Sequence, residues 1–406
     1  MRSVELFAGG GGLGLGLSLA GFEPALVIEW DRWACDTMRE NQKLGYPLVK
    51  DWRLIKGDVR DFDYSKMEDI DLVSGGPPCQ PFSLGGKHGG DKDKRDMFPS
   101  AVNVVETLRP RAFVFENVIG ITLQSFANYF QYILLQLTYP EISKKENEPW
   151  VDHLSRLERH KTYGKVAGLQ YNVVTRVLNA ADHGVPQQRE RVFIVGFRSD
   201  QHREWSFPRT THDLDALLYE QYVTGEYWDR HCVSSGKRPV RPAKYHRKIE
   251  KLGQSMLPGM RAKPWRTVRD ALIGVPDPRS EEAAKFFNHK FQEGAKVYPG
   301  HTGSPLDMPA KTLKAGDHGV PGGENMLVMP DGDVRYFTVR ESARLQTFPD
   351  GYRFHGSWTE TMRQLGNAVP VSLARIIGSS IASQLITSKE TKIKRTAGHG
   401  ESRNTI

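Results

Sequence analysis

Three cysteines in 406 residues are too few and too scattered to frame a fold. Cys35, Cys79 and Cys232 form no C-x-x-C pair, which argues against a disulfide framework and against a structural zinc site. Each is then either a small buried apolar residue or a reactive thiol. No run of about 18 apolar residues offers a membrane-crossing helix. No basic-then-apolar leader with a small-residue cleavage site is visible either. Val4–Ala8 already reads as a strand, so the expectation is a cytoplasmic protein. Internal repeats and long low-complexity tracts are also lacking.

An acidic balance is lacking too: the formal charge is +8. Its distribution says more than its size. Between Lys237 and Arg269 there are eleven Lys or Arg and one acid, Glu250, so this stretch alone carries about +10 and the rest of the chain is near neutral. Concentrated positive charge is what phosphate neutralisation needs, although a solvated surface loop has the same composition.

The first half alternates short β-rich runs with amphipathic or small-residue stretches. Val4–Ala8, Ala25–Glu29, Asp71–Ser74, Ala112–Phe115 and Val192–Gly196 read as strands, the last three as fully buried ones of the parallel type. Gly12–Ala20 reads as a helix. Strands alternating with helices predict an α/β doubly wound sheet. From Ser199 to Gly332 the pattern breaks into scattered Pro, Gly, charge and aromatics, which predicts a second, smaller and irregular domain. Ser372–Ile386 is apolar with helical spacing and should pack on the first domain. The expected division is 1–198 completed by 333–388, then 199–332, with a disordered tail at 389–406. Residues Glu141–Glu148 read as an exposed charged insertion.

Gly9, Gly11 and Gly14 satisfy G-x-G-x-x-G between a strand and a helix, where glycine lets the backbone turn sharply and approach a ligand. Glu29 ends the next strand about 20 residues later, where a carboxylate binds a ribose hydroxyl pair. The motif alone fits NAD, FAD or S-adenosylmethionine. Trp30, able to stack on adenine, and Gly57-Asp58, able to accept from its amino group, favour S-adenosylmethionine. No pyrophosphate cradle or hydride-transfer site follows, as a nicotinamide cofactor would require.

Gly75-Gly-Pro-Pro-Cys79-Gln-Pro-Phe-Ser83 holds a cysteine rigidly at the exit of a buried strand, where α/β sheets place their ligands. That setting favours a nucleophile over a core cysteine. Phe115-Glu-Asn-Val118 lies at the end of another strand; the plainer reading of Glu116 is an acid at a helix start. Gln187-Gln-Arg-Glu-Arg191 precedes a third strand, its plainer reading being a solvated turn. Three polar clusters at strand ends of one sheet would converge on one crevice.

Taken in order, these motifs resemble the DNA (cytosine-5) methyltransferases: Phe-Ala-Gly-x-Gly-Gly, Pro-Cys-Gln, Glu-Asn-Val, Gln-x-Arg-x-Arg, the Arg-Glu-x-x-Arg-Leu-Gln-x-Phe-Pro of Arg340–Pro349, and the Gly-Asn-Ala-Val-Pro of Gly366–Pro370. The resemblance covers about residues 3–198 and 300–386, and its compact layout is similar to bacterial restriction-modification enzymes. It implies a Rossmann-like S-adenosyl-L-methionine-dependent sheet with a target-recognition domain. It implies Cys79 as the nucleophile on cytosine C6, Glu116 at N3 and the exocyclic amine, and Arg191 with Arg189 holding the base through O2. Phe7, Ala8, Gly9, Gly11, Gly12, Leu13, Glu29, Trp30, Asp58, Val59, Asn367 and Ala368 would bind the cofactor. The base must leave the helix, so base flipping follows. Arg95, Arg261, Lys263 and Arg266 are candidate DNA contacts.

Two features depart from that pattern. Glu5 stands where the family generally has Asp, either in the same role or as a mere neighbour. The glycine-rich loop Gly85–Asp91 lacks a serine that many members carry at Gly85. The expected partner is double-stranded DNA, acted on by a monomer and functionally paired with a restriction endonuclease. A tRNA cytosine-5 methyltransferase of the same architecture is the nearest alternative. A catalytically silent DNA-binding module is disfavoured by the intact Cys79, Glu116 and Arg191, and an NAD-dependent oxidoreductase by the cofactor features above.

Overall fold

The computed structural model describes residues 1–78, 96–164, 168–201, 204–254, 262–299, 302–316 and 325–398, with side chains of the last helix described as far as 386. The chain divides into two compact units: Met1–Val177 with Arg191–Pro208 and the segment from Ala374, and Leu178–Glu190 with Arg209–Leu373.

Unit one is built on β1 (Arg2–Leu6), α1 (Gly12–Leu19), β2 (Glu23–Glu29), α2 (Arg32–Lys43), β3 (Leu54–Lys56), β4 (Leu72–Gly75), α3 (Phe98–Leu108), β5 (Ala112–Val118), α4 (Ala127–Thr138), α5 (Trp150–Tyr163), β6 (Tyr171–Asn179) and β7 (Glu190–Arg198). Its sheet has the order β3-β2-β1-β4-β5-β7-β6. The strands from β3 to β5 are parallel, and the order reverses beside β1, which pairs with β2 and β4. The α/β expectation holds, with one correction. The run at Val192–Gly196 reads as a parallel strand, but β7 is antiparallel to β5, with Glu116 opposite Phe193 and Val118 opposite Arg191. An apolar run buried on both faces looks the same in either direction, so sequence could not tell them apart.

Alternate strand residues Val4, Leu6, Leu26, Ile28, Val73, Phe113, Phe115 and Ile194 form one buried cluster with Phe98 and Val105 of α3, Ile133 and Leu137 of α4, and Leu157 of α5. Fully burying each such side chain contributes about 1.5–3 kcal/mol. Close approach fixes the centre: a Cβ on Gly75 would stand 2.5 Å from the Leu6 carbonyl oxygen.

Unit two is less regular, as expected. It holds β8 (His212–Asp213), α6 (Leu214–Tyr219), α7 (Glu226–Arg230), α8 (His246–Gln254), β9 (Lys263–Pro264), α9 (Val268–Ala271), β10 (Ser304–Pro305), β11 (Met326–Val328), β12 (Val334–Tyr336), α10 (Val339–Leu345) and α11 (Trp358–Asn367). β8 pairs with β9, and β10, β11 and β12 form a three-stranded sheet. The boundaries differ from the expected ones, because 178–190 and 333–373 belong to unit two. Gln188 N–H donates to Ala310 O at 2.8 Å and Ala310 N–H to Pro186 O at 2.9 Å, so the first segment is stitched to the second unit. Phe337 and Leu345 share a core with Val268, Leu306, Leu313 and Leu327.

The final helix, α12 (Val371–Gly398), extends past Ile386, and its backbone is helical through 389–398, where the sequence suggests a disordered tail. Within unit one it lies on α1: a Cβ on Gly378 would be 2.9 Å from Leu17 Cδ2 and 3.0 Å from Ala20 Cβ. The stretch Trp358–Ile386 is long and apolar enough to cross a membrane, yet Ile377, Ile381 and Leu385 are buried in the protein, as in a core helix. The charged segment after α4 is partly tied down, since Glu141 pairs with Arg109 and accepts from Leu169 N–H at 2.7 Å.

Candidate active site

Two acids fasten the glycine loop between β1 and α1. The helix starts after Gly11, at φ 87°, with no side-chain cap of its own. Glu5 supplies one from beneath: its Oε1 accepts the Gly14 N–H at 3.0 Å, satisfying a donor that a helix start leaves unpaired. The fit is tight, since a Cβ on Gly14 would stand 2.2 Å from Glu5 Oε2 and 2.8 Å from the Trp52 ring. Glu5 is thus in a fastening role and not a mere neighbour of the loop. Burial pushes its carboxyl up to about 8, with nearby Glu29 adding to the shift and the Gly14 hydrogen bond opposing it.

Glu29, at the end of β2, fastens the other end. Its Oε2 accepts the Gly9 N–H at 2.6 Å and its Oε1 the Asp31 N–H at 2.7 Å. Burial raises its pKa as well, partly offset by those two bonds. Phe7 holds φ 55°, a left-handed backbone that non-glycine residues adopt at a cost of roughly 1–2 kcal/mol. Such strain clusters at ligand sites. Ala8, Gly12 and Leu13 are buried in the loop and first turn. A Cβ on Gly9 would meet nothing within 4 Å, so one side of the loop is open.

Trp30 follows Glu29 and is 75% exposed, the reverse of what a large ring does without a partner. Gly57 N–H donates to Glu29 O at 3.0 Å, which brings Asp58 and buried Val59 to the same strand end. Asp58 is held by Arg60, a residue sequence reasoning missed, through bonds of 3.0 and 2.6 Å. These bonds keep its carboxyl below the ordinary range. The residues of unit one expected at a cofactor therefore line one open loop and the ends of β2 and β3.

The second cluster lies at the ends of β4, β5 and β7. Arg191 Nε meets Glu116 Oε1 at 3.0 Å, with both side chains nearly buried. Burial lowers the Arg191 pKa, and Glu116 opposes the fall. Asn117 donates from Nδ2 to Pro77 O at 2.9 Å, and Glu116 Oε2 is 3.5 Å from where a Gly76 Cβ would be. Asn117 of β5 thus holds the chain just before Cys79, with Glu116 lying alongside it. Cys79 itself, the loop Gly85–Asp91, Arg95 and Arg261 lie outside the described residues. Of the other cysteines, Cys35 is buried with its Sγ–H on Glu29 O, and burial first, then Glu29, pushes its thiol up to about 12. Cys232 is exposed in unit two.

Arg189 takes a different place from the one expected. It is fully buried within unit two and donates from Nη1 to Leu313 O at 3.2 Å and from Nη2 to Gly366 O at 2.7 Å. It braces the residue before Asn367. Gly366 must be glycine because a Cβ would stand 2.2 Å from Ala315 N. Asn367 is exposed at the end of α11 and Ala368 is buried just after it. Lys263 and Arg266 are both exposed, at and just beyond β9.

The family profile of the C-5 cytosine-specific DNA methylases matches residues 1–139 and 151–383, leaving out only the charged segment between α4 and α5 and the C-terminal end. The chain is 30% identical to the Type II methyltransferase M.PspPI of Psychrobacter sp. over 94% of its length and 79% of the relative's. It is 28% identical to M.NgoMIV of Neisseria gonorrhoeae, covering 94% and 97%. It is 29% identical to M.FnuDI of Fusobacterium nucleatum, covering 97% of each. Among solved structures, a protein described as a prophage-encoded DNA modification methyltransferase (E. coli) superposes with a TM-score of 0.58 at 20% identity, covering 95% of this chain and 99% of that one. The Dnmt2 methyltransferase of S. pombe gives 0.53 at 19%, with the same coverage. At these identities the two structures speak for the α/β fold alone.

Proposed function

The chain belongs to the C-5 cytosine-specific DNA methylases, and from that premise we propose that it methylates C5 of a flipped cytosine in double-stranded DNA through a covalent adduct at Cys79, with S-adenosyl-L-methionine as donor. The relatives it matches are named Type II methyltransferases, which supports a modification role in a restriction-modification system, and functional pairing with a restriction endonuclease is part of this proposal. The observation that carries the mechanism is the buried Glu116–Arg191 pair at the strand ends beside the segment leading to Cys79.

The cofactor fits the residues present. Phe7, Ala8, Gly9, Gly11, Gly12 and Leu13 would cradle it, with the open side of Gly9 allowing close approach. Glu29 retains lone pairs for the ribose hydroxyls, exposed Trp30 offers a face to the adenine, and Asp58 an acceptor for its amino group. Val59, Asn367 and Ala368 complete the assignment. When bound, the sulfonium supplies an electrophilic methyl group.

Cytosine C5 is a poor nucleophile, and the chain's own residues change that. The Cys79 thiolate adds to C6, and the ring electrons move toward C5 and N3. Glu116 hydrogen-bonds or protonates N3, stabilising the charge that builds there. Arg191, kept in place by Glu116, binds O2. C5 then forms its bond to the methyl group as the methyl–sulfur bond breaks, which would leave the donor as the neutral thioether S-adenosylhomocysteine. Loss of the C5 proton to a base, water serving, returns the electrons and expels Cys79. Covalent catalysis splits one hard step into easier ones. Arg189 is assigned to bracing the Gly366–Asn367 turn, not to the base. The unit from Arg209 is assigned to target recognition.

The test is incubation with labelled S-adenosylmethionine and mixed DNA, then mapping of 5-methylcytosine by bisulfite sequencing. Label in DNA at one recurring sequence is expected. Label in tRNA and none in DNA would replace this reading with an RNA methyltransferase.

A further inference from the structure

The turn after β3 is fastened at several points. Gly57 N–H donates to Glu29 O at 3.0 Å, and Asp61 N–H donates to Asp58 O at 3.1 Å, closing a turn over 58–61. The hydroxyl of buried Tyr64 donates to Val59 O at 2.8 Å. The backbone of 57–61 is thereby fixed to the end of β2 and to the short helical turn Tyr64–Lys66.

Within this turn Arg60 takes up most of the Asp58 carboxylate. Its N–H donates to Oδ1 at 2.9 Å, its Nε to the same oxygen at 3.0 Å and its Nη2 to Oδ2 at 2.6 Å. A carboxylate has about four acceptor positions. Oδ1 is filled by two bonds, and Oδ2 keeps one position open. The guanidinium fork also sets the plane of the carboxylate, because its two prongs fit a single orientation. Beside it, Val59 is 4% exposed, and its N–H meets no acceptor among the described residues. A buried peptide donor left unpaired is rare and costly. The plainer reading of Asp58 and Arg60 is a surface ion pair, since Arg60 is more than half exposed, and such pairs contribute little. That reading does not account for the unpaired Val59 N–H next to the one open acceptor.

An acceptor and a donor on adjacent residues fit a ligand edge that carries a donor and an acceptor side by side. Adenine has that edge, its 6-amino group beside N1. Hypoxanthine has the reverse, a carbonyl oxygen beside N1–H. With the Asp58 plane set, a 6-oxo group would bring its oxygen against a carboxylate oxygen, and a site built for one hydrogen-bond pattern rejects the other. A carboxylate free to pivot would relieve that repulsion. It would also cease to hold an acceptor ready for the amino group. The selectivity of the turn therefore depends on what holds Asp58 still.

We propose that Arg60 is a positioning residue of the methyl-donor site: by fixing the Asp58 carboxylate, it makes the turn select a 6-amino purine over a 6-oxo purine. The inference rests on the reading of this strand end as the S-adenosyl-L-methionine site. It goes beyond that reading by assigning base selectivity to a side chain that acts through Asp58 and need not touch the cofactor.

The test is calorimetry without DNA, with S-adenosylhomocysteine and its 6-oxo analogue S-inosylhomocysteine as probes. Arg60→Gln should weaken S-adenosylhomocysteine binding about three- to tenfold, the cost of ordering one side chain on binding. The 6-oxo analogue should lose much less, so the ratio of the two affinities falls. Arg60→Lys keeps the charge but not the fork and should behave as Arg60→Gln does. In an Asp58→Ala background, Arg60→Gln should cost nothing further, because Arg60 acts through Asp58. The melting temperature of Arg60→Gln should be nearly unchanged, since the pair is exposed. Unchanged S-adenosylhomocysteine affinity in Arg60→Gln overturns the inference. So does an equal loss for both probes, full restoration by lysine, a loss that persists in the Asp58→Ala background, or a melting temperature lowered in step with the affinity. If the unmodified protein binds no S-adenosylhomocysteine, the cofactor reading itself fails and this inference with it, a result distinct from all of these.

Discussion

Glu5 is the acid whose titration the structure makes most visible. It is buried, holds the Gly14 N–H and has its pKa raised from 4.5 to about 8. The sign follows from linkage. Between those values the folded protein keeps a proton that the unfolded chain has released, so stability falls as pH rises through the window. A fully developed shift costs about 1.4 kcal/mol per pH unit. From pH 6 to pH 8 that amounts to about 2 kcal/mol, allowing for the flattening near the folded pKa. Glu5→Gln preserves a carbonyl acceptor for Gly14 and removes the proton. Its absolute stability shifts by the cost of burying an amide, but its pH slope should lose the Glu5 contribution. Glu29, raised in the same direction, contributes to both proteins, as do His153 and His212, whose pKa values burial lowers. The difference between the two proteins therefore reads Glu5 together with its coupling to Glu29. Urea unfolding at several pH values reads it directly, with the gap narrowing by about 2 kcal/mol between pH 6 and 8. Parallel pH dependence would refute the argument that Glu5 fastens the loop as a neutral acid.

Glu341→Gln should destabilise unit two by about 3–5 kcal/mol in chemical unfolding, because it strands Arg335, which is buried and bound to both Glu341 oxygens at 2.6 and 2.7 Å. Trp30→Ala should leave the melting temperature nearly unchanged, since the ring is exposed, while weakening S-adenosylhomocysteine binding several-fold in calorimetry by removing ring stacking worth about 1 kcal/mol. Arg191→Lys should lower kcat about a hundredfold or more by removing a fixed donor at the developing charge. Arg189→Lys should act chiefly on stability, by about 1–3 kcal/mol in unfolding, as the guanidinium bonds to Leu313 O and Gly366 O disappear.

What sequence revealed, and what it hid, follows from how local each signal is. The glycine loop, Glu29 and exposed Trp30 lie within one β-α-β passage, so spacing alone placed them together. Glu116 and Arg191 lie far apart in sequence, and their ordered motifs rather than any local pattern united them. The same spacing misled at Arg189. It stands two residues before Arg191, as neighbours on one strand face would, but the chain passes between units at Glu190 and Arg191, and Arg189 turns into the second core. Nothing in residue type marks that crossing. Nor does composition mark which charges of the 237–269 stretch are consumed, because Asp215, Asp229 and Asp307, which pair with Lys248, Arg238 and Arg269, come from outside it. The role of Glu5 needed the 2.2 Å space at Gly14 to become visible.

The central claim is that Cys79 forms the covalent bond to cytosine. Duplex DNA carrying 5-fluorocytosine blocks the last step, since fluorine cannot leave as a proton does, and the adduct should persist. Incubated with S-adenosylmethionine, the protein should give a denaturation-stable complex whose digestion yields the DNA strand linked to the peptide containing Cys79. Cys79→Ser should give none. A complex formed equally by Cys79→Ser, or a linked peptide containing Cys35 or Cys232 instead, would contradict the account.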